Sequence, residues 1–124
     1  MTTPRTITMY GIPNCDTVKK ARTWLDEHGI NFVFHNFKKD GLTKSTVETW
    51  LTDSDLATLI NRKGTTWRAL SDADKLRADD TLSAISLMVE QSSVIKRPVL
   101  VIDHGNALKV HVGFSTERYQ ALFS

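Results

Sequence analysis

The apolar residues of this chain switch repeatedly between a period of two and a period near 3.6, and this limits the folds it can adopt. Thr6-Ile7-Thr8-Met9-Tyr10 alternates and is rich in β-branched side chains, the pattern of a strand over residues 6–10. Val18, Ala21, Leu25 and His28 then recur at helical spacing with Gly29 behind them as a stop, so a helix is expected from about Cys15 to His28. Ile30 to Phe37 returns to strand composition, with Phe32 and Phe34 on one face. Strand, helix and strand in this order make a βαβ unit, with parallel strands and a right-handed crossover.

Lys38-Lys39-Asp40-Gly41 reads as a turn, and a different kind of region follows. From Thr43 to about Gln91 the apolar positions keep helical spacing: Val47, Trp50 and Leu51, then Leu56, Leu59 and Ile60, then Leu82, Ile85, Met88 and Val89. Asp53-Ser54-Asp55, Lys63-Gly64 and Ser71-Asp72 divide this stretch into short helices, the first opened either by Ser45 with Glu48 or by Thr43 with Thr46. Strand composition then resumes. Val99–Asp103 and Ala107–Val112 flank His104-Gly105-Asn106, a segment short enough for an antiparallel hairpin. Ser115-Thr116-Glu117 opens a closing helix with Tyr119, Leu122 and Phe123 on its buried side. The expected order is βαβ, a helical insertion over 43–91, then ββα, all within one domain spanning 1–124.

Composition sets what such a domain can rely on. With one cysteine in 124 residues no internal disulfide is possible, so the core must hold the fold unaided, as in a reducing compartment. An apolar fraction of 40% and a charged fraction of 24% are ordinary for a globular chain. Met1-Thr2-Thr3-Pro4-Arg5 carries no apolar signal core and no stretch is apolar enough to span a bilayer, so a cytoplasmic protein without membrane contact is expected. The net charge of +2, with only the short pairs Lys38-Lys39 and Arg62-Lys63, argues against nucleic acid and suits small anions. His28, His35, His104 and His111 are scattered, so no metal site is expected, and nothing demands more than a monomer.

The chemistry points to Cys15, which lies between the first strand and the first helix. In the first turn of a helix, free N–H groups and the positive end of the macrodipole favour a thiolate over a thiol whose ordinary pKa is roughly 8.5. Lys19 lies one turn along and Arg22 two turns along, Lys20 adds charge, and Asp16 opposes them. A lone cysteine is more often a small buried hydrophobe. Against that stand the turn formers Gly11 and Pro13 and the polar neighbours Asn14 and Asp16, which favour a partly exposed junction. Asn14 can donate to the thiolate or simply shape the turn, and Tyr10 ends its strand close enough to line a substrate groove. Trp24, Trp50 and Trp67 read as packing residues, and His111 as a residue on a sheet face.

A βαβ unit with a cysteine at its first helix start and a proline-led ββα unit after it resembles the thioredoxin/glutaredoxin fold. Gly11-Ile12-Pro13-Asn14-Cys15-Asp16-Thr17-Val18-Lys19-Lys20-Ala21, Lys38–Thr43, Asn61-Arg62-Lys63-Gly64, Ile95-Lys96-Arg97-Pro98 and Val112-Gly113-Phe114-Ser115 together resemble the arsenate reductase/Spx family, over nearly the whole chain. The nearest branch is the small bacterial YffB-type proteins, regarded as glutathione-dependent thiol reductases. The resemblance implies that Cys15 is the nucleophile, that Arg62 and Arg97 bind an anionic group, and that the Arg97-Pro98 bond is cis, with Pro98 beside the thiol.

Two departures shape the expectation. Arsenate reductases of the family carry an Arg-Pro pair where this chain has Gly113-Phe114, which removes one donor for an arsenic oxyanion. Spx regulators carry a second cysteine three residues after the first, where this chain has Val18, so an internal disulfide switch is impossible. The leading expectation is therefore a thiol–disulfide reductase that works through one cysteine and a mixed disulfide. It would have no tightly bound cofactor, with glutathione as cosubstrate and glutaredoxin as an implied partner. Glutathione-coupled arsenate reduction and a non-catalytic, Spx-like adaptor are the alternatives.

Overall fold

Among the described residues, alternation at the start of the chain and strand composition near its end produce four strands, and the helical periods between and after them produce eight α-helices. In the computed structural model, which describes residues 5–123, the order is β1 (Thr6–Gly11), α1 (Asp16–Glu27), β2 (Val33–Asn36), α2 (Phe37–Asp40), α3 (Lys44–Trp50), α4 (Leu56–Leu59), α5 (Thr65–Ala69), α6 (Asp72–Leu76), α7 (Thr81–Glu90), β3 (Val99–Asp103), β4 (Leu108–Val112) and α8 (Thr116–Phe123). Met1–Pro4, over which no signal core is expected, and Ser124 lie outside the described residues. Two compact units result: residues up to Lys39 together with those from Arg97 onward, and Asp40–Lys96.

The first unit is the sheet and its helices. The strand order is β2-β1-β3-β4, with β1 parallel to β2 and antiparallel to β3, and β3 antiparallel to β4. This is the mixed sheet of a thioredoxin-like α/β fold, as the βαβ and ββα pattern predicts. Ile7 and Met9 of β1 and Leu100 and Ile102 of β3 share one face, and they form a single buried cluster with Val18, Ala21, Trp24 and Leu25 of α1 and Tyr119 of α8. The four α1 residues recur at helical spacing, which is why this helix lies on the sheet. β3 is central and buried along Val99–Ile102, hence its unbroken apolar run.

Local chemistry moves two expected boundaries. β2 begins at Val33 rather than Ile30 and ends at Asn36 rather than Phe37. The Asn36 side-chain oxygen accepts from the N–H groups of Lys38 (3.0 Å) and Lys39 (3.2 Å), which starts the helical turn α2 where a plain turn over 38–41 was expected.

The second unit is built of helices too short to be stable alone. Side-chain caps compensate. Thr43 accepts from Thr46 N–H, Asp55 from Thr58 N–H (2.8 Å), Ser71 from Asp74 N–H (3.1 Å) and Asp80 from Ser83 N–H (3.2 Å), each bond contributing about 1 kcal/mol. Of the two openings considered for α3, Thr43 with Thr46 is the one formed. Val47, Trp50, Leu59, Ile60, Trp67, Ile85, Leu87 and Met88 are buried, so the tryptophans pack as expected. Leu82 does not: it is 76% exposed, because the buried stripe of α7 runs through Ala84, Ile85, Leu87 and Met88 and leaves Leu82 on the outer side.

This unit is also wider than the expected 43–91. Beyond Gln91, Val94 C=O accepts from Asn61 N–H (2.8 Å), Lys96 N–H donates to Leu59 C=O (2.7 Å), and Ile60 bridges Ile95, all of which tie the segment up to Lys96 to the helices. No helix of the described residues is long and apolar enough to cross a membrane.

Tyr119 gives the core of the first unit a measurable signature. Its ring is fully buried, edge-on to Phe114 (4.7 Å between centroids) and to Trp24 (5.6 Å), and among the described residues its hydroxyl has no hydrogen-bond partner. Burial pushes this phenol far above its ordinary range and raises Tyr10 as well. The unfolded chain therefore releases the Tyr119 proton near pH 10 while the folded chain keeps it; half-buried Tyr10 adds a smaller effect of the same sign. Stability is unaffected by Tyr119 below that pH and falls above it, by up to about 1.4 kcal/mol per pH unit. Urea titrations at about pH 9 and about pH 11 should show a smaller loss of stability in Tyr119→Phe than in the parent chain; equal losses would contradict this.

Candidate active site at one end of the sheet

The register brings distant parts of the sequence to one end of the sheet. Tyr10 pairs with His35 on one side and Val99 on the other, Val99 pairs with Val112, and Gly11 pairs with Asn36. The end of β1, which leads to Cys15, therefore lies level with Pro98 just before β3 and with Gly113 just after β4. The Arg97-Pro98 peptide is cis, as the resemblance implies, and Pro98 C=O accepts from Gly113 N–H at 2.8 Å. Gly113 has φ +85°, a region in which a side chain would be strained, so glycine serves the tight exit from β4.

Cys15 follows a turn that its own sequence explains. Its N–H points to Ile12 C=O at 3.4 Å, with Pro13 and Asn14 between them, residues suited to the two central positions of a turn. Both are exposed, and turn formation accounts for Asn14. The helix starts one residue later than expected: Cys15 is the cap of α1, with extended backbone (φ −95°, ψ 126°), and its C=O accepts from Lys19 N–H at 2.9 Å. The thiol makes no capping hydrogen bond. It is partly exposed on one side and packs against the core cluster on the other. This is the junction expected from the flanking polar residues rather than a fully buried site.

Val18, one turn on, is fully buried. A Cβ built on Gly11 would meet Val18 Cγ2 at 2.9 Å, so the strand and helix flanking the thiol are in the closest contact that glycine allows.

The expected cations are held differently from one another. Lys19 is exposed and, with Lys20, Thr23, Trp24, Glu27, Phe114 and Thr116, lines an open groove of about 330 Å³ beside α1. Arg22 is occupied elsewhere: its guanidinium lies 4.1 Å from the centre of the Phe34 ring, two helical turns, or about 10 Å of helix rise, beyond Cys15. Arg97 is partly buried next to the buried Pro98. Arg62 belongs to the helical unit, where it lies 4.9 Å from the Trp67 ring centre and 3.9 Å from Asp79, an exposed pair of small energetic weight.

Tyr10 is partly buried with its ring centre 4.9 Å from that of His35, and strand alternation places it on the face opposite Met9 and α1. Phe114 is the residue sequence reasoning undervalued. It was read as the loss of an arginine, whereas its ring packs on Tyr119 and forms a wall of the groove. An apolar residue directly after a glycine at a strand end was the available signal.

A family model described as the ArsC family matches residues 10–122. The chain belongs to the ArsC family. A curated relative of this ArsC-family chain, an uncharacterized protein from Haemophilus influenzae, is 42% identical over 118 residues, which cover 95% of this chain and 99% of the relative. The global transcriptional regulator Spx of Streptococcus pneumoniae is 25% identical over 118 residues, 93% of this chain and 84% of its own. Among solved structures, a protein named YFFB is 44% identical with a TM-score of 0.83, covering 96% of this chain and all of its own. The solution structure of an arsenate reductase (ArsC) related protein from Brucella melitensis is 43% identical with a TM-score of 0.70, covering 96% and 95%.

Proposed function

We propose that this ArsC-family chain is a thiol–disulfide reductase that works through Cys15 alone and uses glutathione as cosubstrate. The observation that carries the reading is the pairing of a partly exposed thiol at a helix start with a fully buried valine where a resolving thiol would stand. The Cys15 thiolate attacks the glutathionyl sulfur of a mixed disulfide. The S–S bond breaks, the substrate sulfur leaves as a thiolate and takes up a proton, and Cys15 carries the glutathionyl group. A second glutathione thiolate then attacks this new disulfide, releasing oxidised glutathione and restoring the Cys15 thiolate. Substrate disulfide plus glutathione becomes substrate thiol plus oxidised glutathione, and no second cysteine of this chain takes part.

The surroundings suit that substrate. Glutathione carries two carboxylates and one ammonium; Lys19 and Lys20, together with Glu27, line the groove beside α1, and Arg97 adjoins Pro98 just before β3. A guanidinium fork recognises a carboxylate well. Glutaredoxin is a further thiol partner in this reading. A chain with one thiol and glutathione as reductant fits a reducing compartment, the cytoplasm. The reading is tested by following NADPH oxidation with glutathione reductase and a glutathionylated small disulfide. Turnover above the protein-free rate is expected, and its absence would remove the proposal.

The description of the Brucella relative favours a second reading, arsenate reduction with glutathione. The turn after β4 offers an aromatic ring where an oxyanion would need a donor. In the same coupled assay with arsenate in place of the disulfide, the rate is expected to be no higher than that of Cys15→Ala. An arsenate-dependent rate clearly above this control would favour the second reading instead.

A further inference from the structure

The far end of α1 carries a cleft that the thiol chemistry does not use. We propose that it is a second binding site, for a small aromatic carboxylate with a single ring. The cleft encloses about 530 Å³, within the roughly 300–1,000 Å³ of small-molecule sites. One wall is flat: the His28 imidazole stacks on the Trp24 indole with 3.8 Å between centroids and 17° between planes. A hydrogen bond fixes this pair, with His28 Nδ1 2.8 Å from Trp24 C=O. A carbonyl oxygen only accepts, so Nδ1 carries the hydrogen and Nε2 of the neutral ring is left as an acceptor. The Arg5 guanidinium lies 5.2 Å from the Phe123 ring centre and supplies a cation within the same cleft.

The lining chemistry selects the ligand. Among the described residues that form the cleft, Arg5 carries the one permanent charge and no carboxylate is present; Asn31 and Gln120 add amide donors and acceptors. A guanidinium with no carboxylate among the described lining residues favours an anion and pairs with a carboxylate through two parallel hydrogen bonds. The stacked rings favour a planar body. Cys15 caps the start of α1 and His28 its end, so the 12-residue helix, about 18 Å long, separates this cleft from the thiol. Trp24 lines both this cleft and the groove beside α1, but Gly29, Asn31 and Gln120 line the cleft and not the groove, so its occupancy is readable at these three independently of the reductase reaction.

The test is a titration of the full chain, followed through assigned backbone, indole and side-chain amide resonances, with benzoate and with the uncharged benzamide as probes. Benzoate should produce saturable shifts at the Trp24 indole N–H, at Gly29 and at the Asn31 and Gln120 side chains, with Kd in the millimolar range or tighter. Benzamide on the parent chain, and benzoate on Arg5→Gln, should each bind about tenfold more weakly. Cys15→Ser should bind benzoate as the parent does. The proposal is overturned if no saturable shifts occur at these residues up to about 20 mM benzoate, or if benzamide or Arg5→Gln matches the benzoate affinity of the parent.

Discussion

Cys15→Ser is expected to reduce glutathione-dependent turnover to the protein-free rate while leaving the fold intact. Cysteine is this chain's only thiol, and a serine hydroxyl is neither ionised near neutrality nor able to form a disulfide, so every covalent step of the cycle is removed at once. The structural cost is small. Cys15 is partly exposed, makes no capping hydrogen bond, and serine is itself a favoured cap residue. Urea denaturation should therefore place the variant within about 1 kcal/mol of the parent, on either side of it. Turnover that survives in a folded Cys15→Ser protein would mean that the chemistry resides elsewhere.

Gly11→Ala is expected to damage the same site through packing. The new methyl group would lie 2.9 Å from Val18 Cγ2 and 3.5 Å from Cγ1. Val18 is fully buried, so the new methyl must displace its side chain, the end of β1 or the start of α1, and these two segments hold the turn that presents Cys15. Overpacking of this kind costs about 1–3 kcal/mol. Adding Val18→Ala should recover part of that loss, although Val18→Ala alone destabilises the parent. A coupling of about 1 kcal/mol or more is therefore expected in the double-mutant cycle. Strictly additive effects, or a Gly11→Ala variant as stable as the parent, would show that this contact does not constrain the strand and helix.

Much of the molecule follows from residue patterns. β1, the paired β3 and β4, and α8 keep the boundaries that composition, alternation and capping predict within a residue or two, because β1, β4 and α8 alternate or recur with one buried side and β3 is an unbroken apolar run bounded by Pro98 and the His104-Gly105-Asn106 turn. The misses have identifiable causes. The extended run Ile30–Phe37 shortens because Asn36 caps a helical turn, a side-chain hydrogen bond that hydrophobic period does not register. Leu82 shares the helical spacing of Ile85, Met88 and Val89 yet lies outside, because the buried stripe runs through the small Ala84, which a pattern of large apolar residues passes over. The helical unit runs to Lys96 because backbone bonds to Leu59 and Asn61 join distant segments, and no local pattern shows them.

For the site, the thiol and the helix behind it were legible, since a turn former, a lone cysteine and a helical period adjoin one another. The roles of the cations were harder to read, because a long basic side chain is placed by what it lies against. Arg22 is held over Phe34, while Lys19 lines a groove whose other wall, Phe114, comes from the opposite end of the chain. That apposition depends on the strand register and has no counterpart in sequence spacing.

The account turns on Cys15 being an accessible nucleophile that forms a mixed disulfide with glutathione. The most direct measurement is the intact mass of native protein after incubation with oxidised glutathione at neutral pH, with peptide mapping and the Cys15→Ser variant as control. One glutathionyl group on Cys15, removed again by reduced glutathione and absent from the variant, is the predicted result. A native protein that stays unmodified while the urea-unfolded chain is readily glutathionylated would show that the fold shields the thiol, and would contradict the account.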